Sequence, residues 1–137
     1  MNKYNLFDYE VEIDEGATKE WYANSEGWDC PCEDCKHFIS LAKKRELPAI
    51  ILDTLAQFDI PPEKATYVCS ITEVDDEVLY EISYRIAGNI LKEKFLDTEG
   101  GDSGEAYCGH NPYPYGAPEF PEPHFDLEFW VYLPMLH

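Results

Sequence analysis

The sequence predicts an α+β fold in which an antiparallel sheet of about four strands carries two helices on one face. Three segments alternate apolar and polar residues with a period of two, which is typical of strands with one buried face. Two further segments repeat apolar residues every three to four positions, as amphipathic helices do. A length of 137 residues fits one domain, which we expect over residues 1–137. Strands and helices do not alternate regularly, so we expect no βαβ units.

The first strand is predicted over residues 6–14, where every second residue is acidic. Its apolar positions are Phe7, Tyr9, Val11 and Ile13. The stretch 15–28 contains turn residues around two aromatic side chains, and we expect it to be irregular.

Two helices are predicted after the cysteine-rich segment. The first has Glu33 and Asp34 in its first turn and basic residues 43–45 in its last, which suits the helix dipole at both ends. Its inward positions are Cys35, Phe38, Ile39 and Ala42. The second helix is expected from about Pro48 to Phe58, because two successive prolines follow and cannot continue it.

A hairpin and a final strand complete the predicted sheet. The hairpin turns at Asp75 and Asp76, and the last strand starts near His124. Between them, residues 97–123 hold most of the glycine and proline of the chain, which predicts a long surface loop.

The charge of the chain excludes some partners. The sequence has 28 acidic and 10 basic residues, a net charge of −18. Nucleic acids and anionic membranes attract clustered lysine and arginine, so neither is an expected partner. The charge permits a basic protein or a cation as a partner, and a solvated acidic surface is the simpler interpretation of it. The candidate partner-binding residues are Trp130, Tyr132, Tyr113 and Tyr115.

The expected compartment is the cytoplasm. The start of the chain has no apolar signal segment, and no apolar run approaches the length of a membrane span. Five cysteines cannot all pair within one chain, and clustered thiols in a reducing compartment indicate metal ligands or reactive groups.

The most informative motif is Cys-x-Cys-x-x-Cys at Cys30, Cys32 and Cys35. The Cys-x-x-Cys spacing is common in zinc knuckles, because its turn directs two thiolates to one point. The motif therefore predicts a zinc site, whose fourth ligand we expect to be Cys108 or His110 from the predicted loop.

Two other interpretations of the cysteines are a redox site and simple packing of reduced thiols. Glu33 and Asp34 argue against a redox site, since their charges oppose formation of a thiolate. The element that follows the motif is also another helix, where a thioredoxin-like unit would have a strand.

The segment from Trp28 to Phe38 resembles a pattern found in short, uncharacterised bacterial proteins. The pattern is Trp-x-Cys-x-Cys-x-x-Cys-Arg-Asn-Phe, followed by a Leu-Pro helix, a hairpin and a strand ending in Leu-Pro-Trp. The chain matches it at Trp28, Cys30, Cys32, Cys35, Phe38, Leu47, Pro48, Leu133 and Pro134, and departs from it at Lys36, His37 and Met135. The resemblance implies a shared cysteine site. It makes His37, which stands where the pattern has Asn, a weaker candidate for the fourth ligand.

Three functions are compatible with these observations. The first is a non-enzymatic, zinc-stabilised protein-binding module. The second is a cysteine- or metal-dependent enzyme, which needs an open coordination position or an activated thiol beside a cleft. The third is an acidic immunity or inhibitor protein for a basic partner, which only the net charge supports.

Overall fold

The computed structural model of the chain describes residues 1–93, 105–111, 113 and 115–135. It confirms an α+β fold with an antiparallel sheet. Within the described residues there are six strands and three helices, against the predicted four and two. The strands are β1 Asn2–Leu6, β2 Tyr9–Ile13, β3 Tyr67–Val74, β4 Glu77–Lys92, β5 Glu105–Gly109 and β6 His124–Pro134, and the helices are α1 Glu15–Asn24, α2 Glu33–Lys43 and α3 Ala49–Ala56.

The long strand β4 organises the sheet. The order is β1-β2-β4-β6-β5, and β3 also pairs with β4. On one edge β4 pairs with β6 from Glu77 to Ala87. On its other edge it pairs first with β3 and then with β2, so one strand joins both hairpins.

The predicted first strand is two strands in the structure. Phe7 and Asp8 have φ values of 54° and 69°, and form a two-residue turn between β1 and β2. Such turns match the twist of an antiparallel pair, so the chain folds back where we predicted continuous alternation. The alternation is confirmed after the turn, where Tyr9, Val11 and Ile13 are buried.

Helix α1, Glu15–Asn24, occupies the first part of the predicted irregular segment 15–28, and residues 25–28 are irregular as predicted. Asp14 caps it by accepting a hydrogen bond from the backbone N–H of Ala17 at 3.0 Å. The helix fills a gap in the edge of β4 between β2 and β3. There Thr18 Oγ1 accepts from the N–H of Ala87 at 3.1 Å, and Tyr22 Oη donates to the carbonyl of Arg85 at 2.7 Å. Side chains thus satisfy backbone groups that have no strand partner.

The predicted loop 97–123 contains a strand that we did not predict. Strand β5 pairs with β6 along the outer edge of the sheet. The remainder of the prediction falls partly on residues 94–104, 112 and 114, which lie outside the described residues.

The two faces of the sheet differ. One face is apolar and packs against the helices, and its largest buried side chains include Tyr80, Tyr84, Phe125 and Phe129. On β4 and β6 the alternate residues, which point to the other face, include the buried ion pair Arg85–Asp126, with Nε and Oδ1 3.1 Å apart. Within the described residues, no helix combines the length and apolar character needed to cross a bilayer.

Candidate metal centre

The start of helix α2 brings the three cysteines together. Cys32 is the N-cap of the helix, and its sulfur accepts the backbone N–H of Cys35 at 3.3 Å. The helix is held against the core by Cys35, Phe38, Leu41 and Ala42. In addition, Tyr80 Oη donates to the carbonyl oxygen of Asp34 at 3.0 Å. The entrance to α2 is thereby anchored to β4, and the cysteine motif sits on a fixed support.

The three sulfur atoms form a compact group. Cys30 Sγ and Cys32 Sγ are 3.3 Å apart, and all three sulfurs lie within 4.8 Å of one another. Sulfur ligands of a tetrahedral zinc ion, at Zn–S distances of about 2.3 Å, are separated by about 3.8 Å. The separation of 3.3 Å is below this value and no separation exceeds 4.8 Å, so the three cysteines could hold a metal ion after small side-chain adjustments.

The pKa values of Cys35 and Cys30 are shifted in opposite directions. Burial raises the pKa of Cys35 well above its usual value, although the indole N–H of Trp28 donates to its sulfur at 3.3 Å. The pKa of Cys30 is lowered, first by a hydrogen bond from the Cys32 backbone and then by hydrogen bonds from the other two thiols. A bound dication deprotonates its thiol ligands, so a metal would remove the cost of ionising the buried Cys35.

The predicted fourth ligands lie outside this group. Among the His, Cys, Asp and Glu side chains of the described residues, neither Cys108 nor His110 joins the three sulfurs. Cys108 belongs to β5 opposite Leu127, is buried in the core, and its pKa rises to about 12 through burial and the charge of Glu128. Strand pairing therefore directs this thiol into the core, and exposed His110 follows at the end of the strand.

His37, the weaker candidate for the fourth ligand, instead contacts the end of β6. Its Nε2 lies 2.6 Å from the carbonyl oxygen of Pro134. Since a carbonyl oxygen only accepts, Nε2 carries the proton and the ring links α2 to the end of β6.

A groove of about 750 Å³ lies beside the cysteines. Two segments line it: the cysteine segment, residues 24–31, which ends next to Cys32, and the loop segment, Tyr113 with residues 115–119, in which all but Ala117 contribute to the lining. Trp21 of α1 completes the lining. The volume falls in the range of ligand-binding clefts, which is about 300–1,000 Å³.

Hydrogen bonds to the buried Arg85–Asp126 pair, made through Asn111, fix the loop segment. Arg85 Nη2 donates to the carbonyl of Asn111 at 2.7 Å, and Asp126 Oδ2 accepts the N–H of Asn111 at 2.8 Å. Asn111 Oδ1 in turn accepts the N–H of Tyr113 at 2.9 Å. At Gly116 a Cβ atom would overlap the carbonyl oxygen of Thr66, so only glycine allows this close approach.

The four predicted partner-binding residues separate into two regions. Tyr113 and Tyr115 line the groove, and 80% of Tyr115 is exposed. Trp130 and Tyr132 are half-buried on β6 and do not line it; the Trp130 indole N–H donates to Tyr107 Oη at 2.9 Å. Sequence reasoning missed Trp21, Glu26, Asp29 and Glu119 as groove residues, because no local pattern brings them together.

Comparisons with models of protein families, with curated proteins and with solved structures found no match to this chain. The resemblance of the segment from Trp28 to Phe38 to bacterial proteins therefore stays a prediction.

Proposed function

We propose that this chain is a protein-binding module whose helix entrance is fixed by zinc bound to Cys30, Cys32 and Cys35. The observation that carries the proposal is the mutual approach of three thiols within 4.8 Å. Zinc is the metal that this donor set favours, because thiolates select it over calcium or magnesium. The three thiolates leave one coordination position to solvent or to a ligand from a partner.

The position of the site supports a structural role for the metal. Cys30 belongs to the cysteine segment of the groove, whereas Cys35 belongs to α2 and is buried in the core. An ion held by both would tie the segment to the helix at a point where backbone pairing is sparse. The proposal places the protein in the cytoplasm, where reducing conditions keep thiols available for metal.

Metal analysis of the full-length protein tests the proposal. Protein purified with zinc present and under reducing conditions should contain about one zinc per chain. Cys32→Ser should lower zinc affinity by on the order of 100-fold or more, because one of the ligands is lost. Cys32 is exposed, so this variant should still fold. A chelator should lower the melting temperature of the wild type but leave that of Cys32→Ser unchanged.

Two matched variants serve as controls. Cys69→Ser removes a half-buried thiol of β3 that is outside the group, and should keep zinc affinity unchanged. Cys108→Ser should also keep it, which tests the fourth ligand predicted from the sequence. A wild-type protein with five free thiols, no zinc and a melting temperature indifferent to zinc and chelator would overturn the proposal.

A further inference from the structure

We propose that the groove between α1, the cysteine segment and the loop segment binds a lysine or arginine side chain from a basic segment of a partner protein. The inference rests on the proposed protein-binding role and gives the partner a chemistry. It does not require the zinc ion itself. Its basis is the combination of aromatic rings and carboxylates in a lining to which no described lysine or arginine contributes.

Aromatic rings provide the surface of the groove. Trp28 lies with its ring centroid 5.8 Å from that of Tyr113, and Tyr113 lies 5.6 Å from Tyr115. Trp21 contributes a further indole. Both indole N–H groups are already engaged, Trp21 with the carbonyl of Pro118 at 3.1 Å and Trp28 with Cys35. A ligand therefore meets ring faces and edges, and the negative faces attract cations.

The charges of the lining point to the same ligand class. Glu26, Asp29 and Glu119 are exposed and line the groove, and among the described residues no lysine or arginine does so. Lys64 lies close to Gly27, but its Nζ donates to the carbonyl oxygen of Tyr22 at 2.7 Å. Among the lining residues that the structure describes, the three carboxylates thus have no basic neighbour, and a cationic side chain would complement them.

The groove favours a side chain of a protein over a free metal ion or an anion. Aromatic surface is of no use to a strongly hydrated dication, and carboxylates repel phosphate and carboxylate ligands. Lysine and arginine combine a long apolar stem with a charged end, which matches a lining of rings and prolines with carboxylates among them.

Short peptides with one central cation test the inference. The probes are a Gly/Ser-rich hexapeptide carrying one arginine and its counterpart carrying citrulline, which has nearly the same shape without the charge. A lysine peptide and its acetyl-lysine counterpart form the second pair. Binding to the zinc-loaded full chain is followed by chemical-shift changes at Trp28 and Tyr113. We expect each cationic peptide to bind at least about tenfold more tightly than its neutral counterpart.

Two groove variants and one matched control locate the binding. Tyr115→Ala and Glu119→Gln change exposed groove residues and should each weaken binding about fivefold. Asp75→Asn removes one charge from the exposed β3–β4 turn, away from the lining, and should leave binding unchanged. Equal weakening by Asp75→Asn and Glu119→Gln would show attraction by net charge alone and overturn the inference.

Zinc content measured on the same samples separates the two proposals. A zinc-loaded protein that binds the charged and neutral peptides equally would overturn the groove inference and leave the metal site standing. A protein without zinc that still discriminates between them, and loses this in Tyr115→Ala, would refute the zinc site alone.

Discussion

The two segments that line the groove are held in place by different kinds of interaction. The cysteine segment, residues 24–31, leads into three thiols that converge at the start of α2. The loop segment, Tyr113 with residues 115–119, is attached to the buried pair Arg85–Asp126 through Asn111, and packs on Thr66 at Gly116. The cysteine segment is thus attached through its thiols. The loop segment is attached through a buried ion pair of the sheet and its hydrogen bonds.

The difference predicts that the two segments respond to different conditions. Chelation or thiol oxidation should loosen the cysteine segment and leave the loop segment in place. Changes to the ion pair should do the reverse. Trp28 connects them, because its N–H reaches Cys35 while its ring packs near Gly116 and Tyr113.

The largest expected effect comes from breaking the buried ion pair. Asp126→Asn keeps the shape of the side chain but leaves Arg85 buried without its counter-charge. We expect the free energy of unfolding to fall by about 3–5 kcal/mol, measured by denaturant unfolding of the zinc-loaded protein. Zinc affinity should be unchanged in the folded fraction, since the proposed ligands Cys30, Cys32 and Cys35 are not part of this network.

An exposed ion pair provides the matched control. Lys19 and Asp59 are 3.3 Å apart, and 67% of each side chain is exposed. Asp59→Asn should therefore cost less than about 1 kcal/mol. Similar losses for Asp59→Asn and Asp126→Asn would mean that the network does not hold the loop segment.

The next effect comes from filling the contact at Gly116. In Gly116→Ala the new Cβ overlaps the Thr66 carbonyl oxygen, so the loop segment must move away from β3. The expected cost is about 1–3 kcal/mol, typical of overpacking, together with weaker binding of the arginine peptide. Gly16→Ala is the control: its nearest neighbouring atom would be 3.7 Å away, and alanine in α1 should stabilise by up to about 1 kcal/mol.

The same contrast explains what the sequence could predict. The convergence of Cys30, Cys32 and Cys35 depends on five consecutive backbone steps and a helix start, so spacing alone predicts it. The pairing of β3 with β4 also follows from local periodicity and is confirmed. Of the four inward positions predicted for α2, three are buried as expected, whereas Ile39 is half-buried and Leu41 is buried instead. These features require no knowledge of distant residues.

Features that depend on distant contacts were not predictable. β5 forms only because β6 offers an unpaired edge, and this pairing turns Cys108 into the core instead of toward the thiols. The contact of Gly116 with Thr66 joins residues 50 positions apart, so no local pattern marks it. Helix α1 was missed for a related reason: its Thr18 and Tyr22 serve the β4 edge, a contact invisible in the sequence.

A smaller and pH-dependent effect is expected at Glu128, which lies two residues after Asp126 on β6. Burial, with the charges of Glu81 and Asp126, raises its pKa from 4.5 to about 7. Between these values the folded protein holds a proton that the unfolded chain has released, so wild-type stability falls as the pH rises. Glu128→Gln cannot release a proton. It should be more stable than the wild type by about 1–2 kcal/mol at pH 8 and equal to it near pH 4.5.

The measurement for Glu128 is the difference in unfolding free energy between variant and wild type across this pH range. Comparing the two proteins cancels groups that titrate alike in both. A difference that is constant with pH would contradict the raised pKa and leave Glu128 as an ordinary polar residue of the sheet.

The smallest effect on stability is expected for Trp28→Phe. This change tests how the three thiols hold the cysteine segment. Phenylalanine keeps an aromatic ring near Tyr67 and Tyr113 but removes the N–H that reaches Cys35 Sγ at 3.3 Å. A hydrogen bond from nitrogen to sulfur is weak, so the metal-free protein should lose less than about 1 kcal/mol. When zinc is bound, the same N–H would stabilise a thiolate ligand. Its loss should lower zinc affinity by about tenfold, as removal of outer-shell partners does.

Chelator competition measures that affinity, and Trp21→Phe, which removes an indole N–H bonded to Pro118, is the control that should leave it unchanged. If Trp28→Phe lowers stability equally with and without zinc, the indole acts by packing alone, and its N–H does not strengthen zinc binding by the thiols.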